Sequence, residues 1–355
     1  MKQKIVAAAL AGVMALSLAA CGGSAKSGSG ESASAASTTA GGSDVKVGIV
    51  TDVGGVNDGS FNQSAWEGLQ KAGDEFGIEV KYLESKTDAD YTPNIETFLD
   101  DDYDMIICIG YALADALKEE ATANPDQKFG IVDDSTLADF DNVTCLMFEA
   151  GQSSYLAGYV AGKTTKTNKV GFVLGMSNAM MDEFGYGYNA GVKAANPDCE
   201  VINQNANSFT DTAQGKSIAN QMVSEGADVI FHAAGGTGLG VIDACKEAGI
   251  WAIGVDSDQS SVAPETVLTS AMKRVDNAVY ALAKETVEGK VEAGVQTFDL
   301  SDGGVDLAPT TDNIDPDVLK EVEGIKQDII DGKVTVPKTA EDYKTAVGED
   351  LSFSK

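Results

Sequence analysis

From residue 45 onward, short apolar runs closed by turn residues alternate with stretches in which apolar positions recur every three or four residues. The short runs fit strands buried on both faces and the longer stretches fit helices, a pattern that predicts parallel α/β architecture. Two series are visible: runs at 46–50, 79–83, 103–110 and 129–133, then runs at 169–173, 199–203, 227–233 and 251–256. Lys46 lies 123 positions before Lys169, Asp104 lies 124 before Asp228, and Asp133 lies 123 before Asp256. A near-constant offset at three strand landmarks predicts two lobes of one topology. Between the runs, Ser60 and Gln63 form a capping-box pattern ahead of Ala65, Leu69, Ala72 and Phe76, which share a helical face. Asp211 and Gln214 repeat that pattern before a helix around 218–223, and further helices are predicted over 113–120, 239–248 and 275–287. Met105–Ile109 and 143–146 carry Cys108 and Cys145 at buried-strand positions, where cysteine packs as a small hydrophobe.

The amino terminus follows another pattern. Lys2 and Lys4 precede an uncharged run from 5 to 20, the charged and apolar regions of a secretory signal over residues 1–20. The run ends Leu18-Ala19-Ala20-Cys21-Gly22. This resembles the lipobox of bacterial lipoproteins, which implies a lipid on Cys21; the competing reading is a plain signal peptide with an incidental cysteine. Residues 22–43 are nearly all Gly, Ser, Ala and Thr, so 21–44 reads as the lipidated cysteine and a flexible tether, roughly 25 Å in reach. The expected domains are 45–150 for the first lobe, with later crossover segments near 274–307, and 151–273 for the second, with the C-terminal segment 308–355.

Composition narrows the function. Hydrophobic residues are 43% and charged residues 23% of the 355, as in ordinary globular chains, which excludes a disordered or multi-span membrane protein. Fifty-five Asp and Glu against 25 Lys and Arg give a net charge of -30, which repels nucleic acid. Arg274 is the sole arginine, so bidentate phosphate recognition is disfavoured. With Cys21 assigned to lipid, Cys108, Cys145, Cys199 and Cys245 could form two disulfides, but free thiols are the favoured reading. No CxxC motif exists and His232 is the single histidine, read as structural, so neither a metal nor a cofactor is expected. The Asp100-Asp101-Asp102 run lacks calcium-loop spacing and reads as a solvated loop.

In open parallel sheets ligands bind beyond the carboxyl ends of strands. The first run continues into 51–63, Thr-Asp-Val-Gly-Gly-Val-Asn-Asp-Gly-Ser-Phe-Asn-Gln, placing Asp52 at a strand end and Phe61 and Asn62 at a helix start. Phe61 lies outside the core-facing stripe, available for stacking on a ligand or for surface packing, and Asn62 offers both donor and acceptor to a heterocycle. The Gly236–Gly240 run matches the dinucleotide G-x-G-x-x-G poorly and reads as a tight strand-to-helix turn or a close backbone approach to ligand.

The Asp-x-Gly-Gly-x-x-Asp-x-Ser-Phe-Asn-Gln segment resembles the signature of the basic membrane protein family, lipoproteins that include purine nucleoside receptors of bacterial ABC importers. The likeness continues through 154–158, Gly175-Met176, Phe184, 187–192, 233–238, 254–259 and 270–274. The resemblance implies a type I periplasmic-binding-protein fold, two Rossmann-like lobes closing on a nucleoside. It implies a base held between Phe61 and Phe184, polar contacts from Asp52, Asn62, Asp133, Asp256 and Lys273, and Met176 and Gly235 lining the site. Asp256 would accept from ribose hydroxyls and Asp133 or Asn62 would read the base edge, with Asp134 competing with Asp133 for the position. The expected protein is a monomeric, lipid-anchored receptor on the extracytoplasmic face of the cell membrane, handing an inosine, guanosine or adenosine type of nucleoside to ABC permease subunits. It is not expected to be an enzyme. An exported nucleoside hydrolase is the alternative, although no organised acid/base pair is visible; a surface interaction lipoprotein with a vestigial cleft is another.

Overall fold

The computed structural model describes residues 44–353; the signal peptide, Cys21 and residues 22–43 of the tether lie outside the described residues. The first lobe opens with β1 (Lys46–Thr51), α1 (Phe61–Phe76), β2 (Glu79–Leu83), α2 (Tyr91–Asp100), β3 (Met105–Ile109), α3 (Ala114–Ala123), β4 (Lys128–Val132) and β5 (Val143–Phe148). The chain then crosses into α4 (Ala150–Thr164), β6 (Lys169–Leu174), α5 (Ala179–Ala195), β7 (Glu200–Asn205), α6 (Thr212–Ser224), β8 (Val229–Ala233), α7 (Gly235–Ala248), β9 (Trp251–Asp256) and β10 (Val267–Lys273). It returns with α8 (Val275–Glu288) and β11 (Gly294–Phe298), and crosses a third time to β12 (Val305–Leu307), α9 (Pro316–Ile330) and α10 (Ala340–Val347).

Two six-stranded sheets result, ordered β11-β5-β4-β3-β1-β2 and β12-β10-β9-β8-β6-β7. All pairs are parallel except β10 with β12. All five residues of β3 are buried, as a parallel strand covered on both faces requires. The boundary expected at 307 moves: β12 pairs with β10, so the third crossing lies between Phe298 and Val305.

Helix α1 begins where the pattern places it, but its expected capping box is absent. Ser60 makes no side-chain cap. The Asp58 carboxylate accepts instead from the N–H groups of Ser60 (2.9 Å), Asn62 (2.9 Å) and Gln63 (3.1 Å), because a charged acceptor two residues upstream satisfies several free donors at once. At α6 the expected cap forms, Asp211 accepting from the Gln214 N–H at 2.9 Å. Helices α4 and α5 are absent from the periodicity reading because burial erases the polar face: eleven of the fifteen α4 residues are buried. Their seam is glycine-lined. A Cβ on Gly158 would collide with the Tyr188 carbonyl and one on Gly191 with the Tyr155 carbonyl, so the helix backbones pack directly together and fix α5, which carries Phe184.

Candidate ligand site

Between the carboxyl edges of the two sheets lies a cavity of about 250 Å³, near the lower end of the size range of small-molecule sites. Asp52, Phe61, Asn62, Asp133, Met176, Phe184, Gly235, Asp256 and Lys273, drawn from both lobes, all line it. Asp52 follows β1, Asp133 follows β4, Asp256 closes β9, Lys273 closes β10 and Gly235 opens α7. Asp133 rather than Asp134 faces the cavity; Asp134 is engaged with Thr136 on the surface side. Gly235 has φ +51, where a side chain is strained, and it starts the helix whose Gly238 packs on the His232 ring. The Gly236–Gly240 run is therefore a close-packed helix start.

Asp133 and Asp256 occupy matching strand ends, and both have φ 64, a left-handed conformation uncommon in residues with side chains. Such strain, of order 1–3 kcal/mol each, persists where the surroundings over-determine the backbone. Each carboxylate reaches the opposite lobe. Asp133 pairs with Lys273 at 2.5 Å, both side chains about 95% or more removed from solvent, and Asp256 accepts from the Ser60 hydroxyl. A third link runs from Gln259 Nε2 to the Gly59 carbonyl at 2.9 Å. Gln259 is itself held by the Val255 N–H and by His232 Nε2, each at 3.0 Å. Burial pushes the His232 imidazole down to about 4, so it is neutral and serves this scaffold.

Burial pushes the Asp52 carboxyl up to about 6, against hydrogen bonds from the Gly54 N–H and the Asn62 amide. Asp256 is likewise pushed up to about 6 by burial, with Lys273 and Ser60 opposing. The Lys273 ammonium lies 4.5 Å from the Phe61 ring centre, 5.6 Å from Phe148 and 5.7 Å from Phe184. The cavity thus joins aromatic faces from both lobes to a strongly acceptor-rich wall, a combination suited to a planar, hydroxyl-bearing neutral molecule.

The sequence reading omits several lining residues. Asp58 lies within the quoted 51–63 segment, and Tyr111 lies two residues beyond the end of β3, where the strand-end rule could have found it. Met180, Met181 and Phe209 also line the cavity, and Phe209 comes from a loop with no signal in its sequence. Asp100, Asp101 and Asp102 are exposed and contribute nothing to the cavity. Cys108, Cys145, Cys199 and Cys245 are free and buried. Among the described residues no group of three potential metal ligands is placed to hold an ion, and no helix is long and apolar enough to cross a membrane.

Residues 45–340 match the family described as ABC transporter substrate-binding protein PnrA-like. The chain is 44% identical to the CD4+ T-cell-stimulating antigen of Listeria innocua, over 95% of this chain and 99% of that protein. It is 42% identical to the ABC transporter nucleoside-binding protein BmpA of Lactococcus lactis, over 83% and 89% of the two chains. Among solved structures, an ABC transporter solute-binding protein from Aeropyrum pernix superposes with a TM-score of 0.77 at 28% identity, covering 85% of this chain and 96% of that one. The protein has the two-lobe α/β fold of periplasmic binding proteins, and it belongs to the PnrA-like family of ABC transporter substrate-binding proteins.

Proposed function

We propose that the protein captures a nucleoside, of purine type, between its lobes and delivers it to the permease of an ABC importer. The observation that carries this reading is the meeting of Phe61 from one lobe and Phe184 from the other at a cavity walled by Asp52, Asn62, Asp133 and Asp256. Phe61 and Phe184 supply stacking faces for the base, Asp256 accepts from the ribose hydroxyls, and Asp133 and Asn62 meet the base edge. Five carboxylates, Asp52, Asp58, Asp88, Asp133 and Asp256, against the one ammonium of Lys273 make a phosphate costly, so the free nucleoside is the cargo rather than its monophosphate. The relative named as a nucleoside-binding protein supports the same cargo.

The protein acts as a monomeric receptor and not as an enzyme, lipid-anchored through Cys21 on the extracytoplasmic face. Calorimetry with inosine, guanosine, adenosine and inosine monophosphate tests the cargo: tight binding of a nucleoside is expected, and tighter binding of the monophosphate would refute it. Incubation with inosine should release no hypoxanthine, whereas steady release would mark a hydrolase. Cys21→Ser should abolish labelling by a fatty-acid probe; equal labelling of the variant would remove the anchor.

A further inference from the structure

Asn62 lines the cavity and is 2% exposed. Both of its amide hydrogens are committed: Nδ2 donates to Asp52 Oδ1 at 2.8 Å and to Asp58 Oδ2 at 3.0 Å. Asp58 also takes the backbone N–H groups of Ser60, Asn62 and Gln63, so it acts there as an acceptor alone. Turning the amide over would set Asn62 Oδ1 against two carboxylate oxygens. The amide therefore has one sense only, and its Oδ1 is buried without a hydrogen-bond partner among the described residues. Asp133 repeats the situation: its Oδ2 is held by Lys273 while its Oδ1 has no partner. A buried acceptor left unpaired is unfavourable, and a ligand that brings an N–H to it relieves that cost.

We propose that Asn62 is a specificity-determining acceptor, fixed in that sense by Asp58 as a positioning residue, so that the site selects nucleosides whose base carries an N–H donor. This rests on the nucleoside reading above and sharpens it: shape and stacking alone are insufficient, and a base of the same outline lacking donors is rejected. Hypoxanthine and guanine offer a ring N–H and adenine an exocyclic amine, whereas unsubstituted purine offers none once it carries ribose. Sites built to hydrogen-bond a donor discriminate strongly against analogues that lack it, because the site's own groups are then stranded.

The test is calorimetry on the purified protein with inosine, guanosine and purine riboside. Purine riboside is expected to bind roughly 5- to 150-fold more weakly than inosine. In Asn62→Ala that ratio should fall toward one, mainly through loss of inosine affinity. Asp58→Asn should also lower the ratio, because its new amide can donate to Asn62 Oδ1 and let the side chain turn over. A general structural role for Asp58 would weaken both ligands alike and leave the ratio untouched, which would overturn the positioning role. Equal binding of inosine and purine riboside by the wild type overturns the proposal while leaving the nucleoside reading intact, as does an undiminished ratio in folded Asn62→Ala. Should Asn62→Ala fail to fold, the wild-type ratio and Asp58→Asn decide the matter. Failure of every nucleoside to bind would remove the nucleoside reading and this proposal together.

Discussion

Asp133 and Asp256 stand at the same place in two copies of one topology, 123 residues apart, with the same left-handed backbone and the same reach across the cleft. Their partners differ. Asp133 meets an ammonium, Lys273, whereas Asp256 meets a hydroxyl, Ser60. The duplicated fold thus supplies matching positions for carboxylates, and the opposite lobe decides what each one does. An ion pair closed away from water leaves a stranded charge when one partner is removed, while a hydroxyl contact leaves a smaller deficit. The first lobe therefore contributes a carboxylate locked to the other lobe by charge, and the second contributes one that a hydroxyl-bearing ligand can engage.

The largest expected effect comes from Lys273→Met. It strands Asp133, a loss of about 3–5 kcal/mol that the molecule can relieve by parting its lobes. Small-angle scattering should then show a larger radius of gyration than the wild type, and nucleoside binding should fall by more than about 100-fold. Ser60→Ala should open the cleft far less; equal opening by both variants would erase the distinction between the two carboxylates.

Asp256→Ala should weaken inosine by about 1.5–3 kcal/mol while changing hypoxanthine little, since the free base has no ribose hydroxyls. Equal losses for both ligands in calorimetry would place Asp256 at the base instead. Phe61→Ala and Phe184→Ala should each cost about 1–3 kcal/mol of nucleoside binding, with circular dichroism unchanged. Comparable losses would mean that both lobes carry the stack, and a loss confined to one would assign it to that lobe.

A further effect is in pH. Asp52 and Asp256 sit near 6 in the closed molecule against 3.8 as ordinary carboxyls, so between those values the closed form holds protons that an open or unfolded chain has released. Closure and thermal stability should therefore decline as pH rises from about 4 through 6, at most about 1.4 kcal/mol per pH unit for each group. Glu183, pushed up to about 7 by burial, acts in the same direction. Melting curves at pH 5 and 7 check the sign. Asp52→Asn and Asp256→Asn should each flatten the profile, and an unaltered slope in both would separate it from these carboxyls.

The runs of both series were legible because short segments closed by turn residues mark parallel strands, fully buried as in β3 or half-exposed at the sheet edges as in β2 and β7, and every expected run in the two series lies within two residues of an observed strand end. The strand-end rule and the family likeness together located nine lining residues. Helix α4 escaped because a helix buried on nearly all sides loses its 3.6-residue polarity, and β12 was assigned to the wrong lobe because a three-residue strand has no period to read. Phe209 reaches the cavity from a loop, where no repeat constrains position.

The sequence by itself determined two lobes of one topology, an acidic chain with a single arginine, and carboxylates at strand ends, all of which follow from local pattern and residue type. Only the tertiary structure decided that Asp58 and not Ser60 caps α1, that Ser60 is thereby released to meet Asp256, and that Lys273 pairs with Asp133. The last two join residues 140 and 196 positions apart, and a hydrogen bond or ion pair at such separation depends on how the lobes meet in space, which no periodicity along the chain encodes.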